Sequence, residues 1–126
     1  MEKKKILIVD DEEDFCFFVR ENLINSQKFE VVIATSGKPG MALARSEKPD
    51  LILLDLMMPG MGGEAVAEAL QGSPETASIP VIFLTALVTR EDTGTGGLKK
   101  IGESWFIAKP VRTRDLISAI ESVLNG

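Results

Sequence analysis

Short runs of consecutive apolar residues alternate with stretches of helical periodicity five times along this chain, and that alternation leaves few folds open. The runs are Ile6 to Val9, Val31 to Ala34, Leu51 to Leu54, Pro80 to Leu84 and Ser104 to Ala108. Each is too short for a core helix, and the apolar residues stand at successive rather than alternate positions. A strand apolar on both sides is one covered on both sides, which is the condition of a parallel sheet between two layers of helices. Between the runs, Phe15, Phe18, Val19, Asn22 and Leu23 predict an amphipathic helix to about Asn25, with Cys16 and Phe17 off its inward stripe. A short helix is expected from Lys38 to Ser46 with Met41, Leu43 and Ala44 inward, and another is marked by Ala65, Val66, Ala69 and Leu70 after the Pro59-Gly60 turn. The last runs from Arg112 to Leu124 with Leu116, Ile117, Ile120 and Leu124 on one side. The expected fold is α/β, a doubly wound five-stranded parallel sheet with helices on both faces.

No linker or low-complexity stretch interrupts the pattern, and 126 residues make one ordinary domain, expected to span 1–126. Nineteen acids against fourteen bases argue against direct binding of nucleic acid, whose phosphates want basic patches. Lys3-Lys4-Lys5 and Lys99-Lys100 are the only basic clusters, and such runs are ordinarily just solvated. The single cysteine excludes an intrachain disulfide, and the first apolar run is far shorter than a signal sequence or a membrane span. The reading is a cytoplasmic protein with no membrane partner.

In doubly wound sheets, ligands bind beyond the carboxyl ends of the strands. Those ends carry Asp10 and Asp11, Asp55, Thr85 and Lys109. Taken singly, each has an ordinary explanation: an Asp opens a turn or caps a helix, a Thr favours strands, and a Lys before a turn is exposed. Their coincidence at four strand ends is harder to explain that way. Three converging carboxylates repel one another, and a hard divalent cation with oxygen ligands, Mg²⁺ best, relieves the repulsion. Mg²⁺ usually takes one or two carboxylates, which leaves Asp55 available as a nucleophile toward phosphorus. Lys109 and Thr85 would then bind phosphoryl oxygens.

These residues resemble those of the receiver domain of two-component response regulators, over nearly the whole chain. The matching elements are Asp10-Asp11 after an apolar strand, Asp55 followed by Leu56-Met57-Met58-Pro59-Gly60-Met61, Thr85-Ala86, and Lys109-Pro110. The resemblance implies a flavodoxin-like strand order 2-1-3-4-5 and a phosphorylation switch with a histidine kinase or phosphotransfer protein as donor. It implies that Asp55 accepts the phosphoryl group, that Asp11, Asp55 and the Met57 carbonyl ligate Mg²⁺, and that Asp10 acts through a water. Lys109 would pair with Asp55 before transfer and with the phosphoryl group afterwards. Thr85 and Phe106 would be the switch pair, the Lys109-Pro110 bond would be cis, and a downstream protein or fused output domain would receive the signal. The resemblance also places the control of hydrolysis at Met57 and Leu87, both apolar here, so the phosphorylated form is expected to be long-lived.

With no histidine in the chain, the phosphoryl donor must be another molecule. The stretch from Thr89 to Lys100 departs from the receiver pattern, because Gly94, Gly96 and Gly97 disfavour the helix usual there. An irregular loop with at most a short helix near its end is expected, which puts the usual dimer face in doubt. Gly62 stands where receivers often have Asp or Asn. Phe17, off the inward stripe, is either an ordinary exposed apolar residue or a contact for the kinase. A Mg²⁺-dependent phosphatase of small substrates would need an acid where Met57 stands, and a flavin-binding flavodoxin would need hydroxyls and glycines where Asp10 and Asp11 stand. A receiver that is never phosphorylated would lack one of the required residues, and none is missing.

Overall fold

The computed structural model describes residues 3–86 and 98–125. The chain runs β1 (Lys4–Val9), α1 (Glu13–Asn25), β2 (Phe29–Ala34), α2 (Gly37–Glu47), β3 (Leu51–Asp55), α3 (Gly63–Gln71), β4 (Val81–Thr85), β5 (Leu98–Ile101), β6 (Ser104–Ala108) and α4 (Thr113–Asn125). One sheet in the order β2-β1-β3-β4-β6-β5 holds all the strands among the described residues, and every pairing but the last is parallel. The five expected strands are therefore in the flavodoxin-like order, and the strand order reverses at β1.

Successive residues of β1 explain why the runs are apolar without alternation. Ile6 and Ile8 point into a core shared with Val19 and Leu23 of α1 and with Leu116 and Ile120 of α4. Leu7 and Val9 point into the opposite core, with Ala44 of α2 and Val66 and Leu70 of α3. A polar residue at any of the four would lie in one core or the other, each fully buried apolar side chain being worth about 1.5 to 3 kcal/mol.

The inward stripe of α1 differs from the expected one. Cys16, Val19 and Leu23 are the buried positions, while Phe18 joins Phe17 in facing solvent. At 100° per residue, Phe18 lies on nearly the opposite side of the helix from Cys16, and the small thiol rather than the large ring fits beneath the helix. On α3, Ala65 likewise faces out, and Val66 and Leu70 carry the stripe.

The expected helical turn at the end of the glycine-rich stretch is instead a strand. Leu98–Ile101 pairs antiparallel with β6, Lys99 opposite Phe106 and Lys100 opposite Trp105. The hairpin turns at Gly102-Glu103, where Gly102 takes φ +62, a conformation glycine adopts without a Cβ penalty. Trp105 holds the Lys100 ammonium 5.2 Å from its ring centroid, a cation–π contact across the hairpin. The remainder of that stretch and Leu87 lie outside the described residues, as does the expectation of a short or irregular fourth helix there.

Candidate functional site

Five candidate residues stand at four strand ends along the carboxyl edge of the sheet, and the side chains of Asp10, Asp11, Asp55 and Lys109 cluster there. β1 carries Asp10, wholly buried, and the exposed Asp11 just after its last residue; β3 ends on the buried Asp55 and β4 on the buried Thr85. Lys109 follows β6, and its backbone N–H donates to the Thr85 carbonyl at 2.9 Å, which locks the last two strand ends together. The Lys109-Pro110 peptide is cis, as the resemblance implied.

Asp55 is held by its own loop. The Met57 N–H donates to Asp55 Oδ1 at 3.2 Å, and Gly63 N–H donates to the Leu56 carbonyl at 3.0 Å. Gly63 packs so closely that a Cβ there would collide with the Asp55 carbonyl oxygen, a clash no real side chain tolerates. Only glycine lets α3 start against the backbone of the acid. Met57 itself projects into solvent, 64% exposed.

Lys109 has three acidic neighbours, and Asp55 is the farthest. Its ammonium donates to Asp10 Oδ2 at 2.8 Å and to Glu12 Oε1 at 2.7 Å, with Asp55 Oδ2 at 3.8 Å. The pairing expected with Asp55 is thus a looser ionic contact, because Asp10 is deeper and Glu12 reaches in from the start of α1. The Phe15 ring supports the same ammonium from the side, 4.5 Å from its centroid. Asp10 is satisfied on both oxygens, since Oδ1 accepts from the Glu12 N–H at 2.9 Å.

The electrostatics follow from this crowding. Burial pushes the Asp55 carboxyl from 3.8 up to about 6, and the charge of Asp10 adds to the effect; the Met57 N–H and Lys109 only partly oppose it. Burial works against the charge of Lys109, but its contacts with Asp10 and Glu12 prevail and hold its pKa above the usual value. Cys16, whose thiol donates to the Asp10 carbonyl at 3.3 Å, is pushed up to about 12, chiefly by burial. One oxygen each of Asp10, Asp11 and Asp55 lie within 4.8 Å of one another. This set holds hard oxygen donors only, which suits a divalent cation of the Mg²⁺ or Ca²⁺ type and not a soft metal. A cavity of about 520 Å³ opens over the cluster, lined among others by Asp11, Glu12, Phe15, Asp55, Met57 and Lys109.

Phe106 lies outside this cavity. Its ring stacks on Phe83 with centroids 5.3 Å apart, on the face of the sheet toward α3, and both rings line a second groove beside Glu64 and Glu68. Thr85 is two residues beyond Phe83 on β4, so the two proposed switch residues are linked through one strand. Glu12, Phe15 and Cys16 were not anticipated as neighbours of the site. Glu12 had a signal, as the third acid of an unbroken run, but such runs are usually solvated.

Comparison with known proteins places the whole chain in one family. The profile of the response regulator receiver domain matches residues 6–121. The chain is 36% identical over 122 residues to protein PilH of Pseudomonas aeruginosa, covering 97% of this chain and 98% of that protein. It is 38% identical over 119 residues to response regulator PleD of Caulobacter vibrioides, covering 94% of this chain but 26% of that one. Among solved structures, Vibrio cholerae chemotaxis protein CheY4 superposes with a TM-score of 0.81 at 26% identity, over 97% of this chain and 99% of that one.

Proposed function

The chain belongs to the response regulator receiver family and is a phosphoacceptor signalling domain; on that premise we propose that Asp55 takes the phosphoryl group in a Mg²⁺-dependent reaction. The observation that carries this reading is the state of Asp55: a buried carboxylate beside a second buried carboxylate, with an ammonium within 4 Å and an open cavity above. A carboxylate Oδ of Asp55 attacks phosphorus, and the bond from phosphorus to the donor breaks with its electron pair leaving on the donor. That donor is the phosphohistidine of a kinase or phosphotransfer protein, or a small acyl phosphate. The product is a mixed anhydride on Asp55.

Asp11, Asp55 and the Met57 carbonyl would hold Mg²⁺, with Asp10 behind them through a water. The ion, when bound, supplies charge neutralisation for the carboxylates and the phosphoryl oxygens. Lys109 gives its ammonium to the phosphoryl group, and Thr85 its hydroxyl. Phe106 follows Thr85 through the shared edge of β4 and β6, where Phe83 and Phe106 already touch. The domain turns over no substrate other than itself. We place it in the cytoplasm as a single domain over 1–126, signalling to a downstream protein or a fused output domain without touching nucleic acid; no described helix is long and apolar enough to cross a membrane.

Incubation with Mg²⁺ and acetyl phosphate followed by intact mass tests the reading. A phosphoryl adduct is expected on the wild type and not on Asp55→Asn, and its absence from the wild type would sink the proposal. The donor's docking face is testable separately. Phe17 and Phe18 stand side by side on the outer surface of α1, 58% and 57% exposed. Phe17→Glu is expected to slow transfer from the cognate kinase and leave labelling by acetyl phosphate unchanged; equal slowing of both would count against that face.

A further inference from the structure

Glu12 occupies the N-cap of α1 and does not cap it. Its backbone is extended there, at φ −87 and ψ 98, but no hydrogen bond runs from its side chain to the first turn of the helix. Asp, Asn, Ser and Thr are the residues that fill this position well, and Glu is not among them. A local rule broken beside a functional cluster indicates that the side chain is used elsewhere. Here the use is visible: the carboxylate bends to Lys109 at 2.7 Å.

The three acids around Lys109 are not equivalent. Asp10 is wholly buried and cannot leave, whereas the Glu12 side chain is 63% exposed and can swing into water. An ammonium has three protons to donate, and two are given to Asp10 and Glu12. Asp55 is left at 3.8 Å, beyond hydrogen-bond reach. Resting on the phosphoacceptor reading above, we propose that Glu12 is a positioning residue that holds Lys109 back from Asp55, and so slows acceptance of the phosphoryl group until Lys109 lets go. Asp10 is the fixed anchor of the lysine, and Glu12 is the releasable one. When phosphoryl oxygens arrive over Asp55, Lys109 keeps Asp10 and exchanges Glu12 for them.

Two variants separate the contact from the charge. Glu12→Gln keeps the length and removes the charge; Glu12→Asp keeps the charge but is one methylene too short to span the contact. Asp is also a good N-cap, so that variant carries little risk to the fold. The rate of adduct formation with acetyl phosphate is measured for wild type and both variants, at Mg²⁺ concentrations shown by titration to saturate each protein. Both variants are expected to gain about two- to five-fold in rate, the scale of a partly exposed ion pair. In a Lys109→Ala background the same substitutions are expected to give no gain, because Glu12 acts only through the lysine.

Unchanged or slower labelling of Glu12→Gln overturns the proposal. So does a gain in Glu12→Gln with none in Glu12→Asp, which would assign the effect to charge at the cavity mouth, and so does a gain that persists without Lys109. If Lys109→Ala takes no label at all, the comparison of Gln with Asp decides. A wild type that forms no adduct rejects the phosphoacceptor reading itself, while an adduct formed equally fast in all three proteins rejects only the role of Glu12.

Discussion

Leu54 and Asp55 are neighbours on β3, both withdrawn from solvent, and burial acts on them in opposite directions. Along the interior of β1 and β3, every residue from Ile6 to Ile8 and from Leu51 to Leu54 is fully buried between the two helical layers, and each contributes to holding the sheet. Just beyond those runs, at the carboxyl ends of the same strands, Asp10 and Asp55 are buried against each other with a single lysine between them. The strand interior is where stability is made, and the strand end is where some of it is given up for reactivity. The sheet is thick enough in apolar contacts to carry that loss.

The sharpest way to break this contrast is to move the loss into the interior. Leu53→Ala removes a fully buried side chain from the core under α1 and α4, and about 3 kcal/mol of unfolding free energy should go with it, read as a lower urea midpoint. A loss below about 1 kcal/mol would mean that the core collapses around the cavity, and that the interior is softer than its packing suggests.

At the strand end the sign should reverse. Asp55→Asn removes a charge that burial and Asp10 both penalise, and at pH 7.5 without divalent cations it should stabilise the fold by about 1 to 2 kcal/mol. The gain depends on pH. Above about 6 the wild-type carboxylate is charged in both folded and unfolded chains, so its full cost is felt. As the pH falls through about 6 toward 3.8, the folded carboxyl takes up a proton that the unfolded chain does not yet hold, and the cost fades. Urea midpoints of the two proteins should therefore converge on acidification; midpoints that diverge would contradict the raised pKa.

The smallest expected effect lies at the seam between the two regions. Gly62 caps α3 with an extended backbone at φ −72, and the only atom near a Cβ there would be the Leu56 carbonyl oxygen at an ordinary 3.6 Å. Gly62→Ser should add about 0.3 kcal/mol through a side-chain cap without touching Asp55, measurable as a small rise in thermal midpoint. A loss instead would show that the loop after Asp55 needs the freedom of glycine at 62 as well as the close approach at 63.

The interior of the fold was the readable part of the chain. A residue between two apolar layers has no polar option at either face, so β1, β3, β4 and β6 announce themselves as consecutive apolar runs, and the strand-end rule then locates Asp10, Asp11, Asp55, Thr85 and Lys109. What escaped depends on contacts between distant segments. The rotation of α1 is decided by which side chain fits beneath it, and Cys16 fits where Phe18 does not. β5 exists because β6 offers an edge, and its own residues, Leu-Lys-Lys-Ile, carry too little pattern to declare a strand. Gly63 reads as one more turn residue until the Asp55 carbonyl is seen against it. Glu12 looks like a solvated acid until Lys109 arrives from the far end of the sequence.

Cys16 gives the chain a built-in clock. It is the only thiol, it is sealed under α1 with its hydrogen on the Asp10 carbonyl, and it keeps its proton to about 12, so the closed protein offers an alkylating reagent no thiolate to attack. A tag is acquired when α1 lifts from the sheet or the whole chain opens, once per molecule. Because α1 begins at the residue after Glu12, the tagging rate times excursions of the very helix that borders the acid cluster. One mass spectrum can then count alkylated and phosphorylated molecules together, and show whether the acyl phosphate quiets that motion or quickens it.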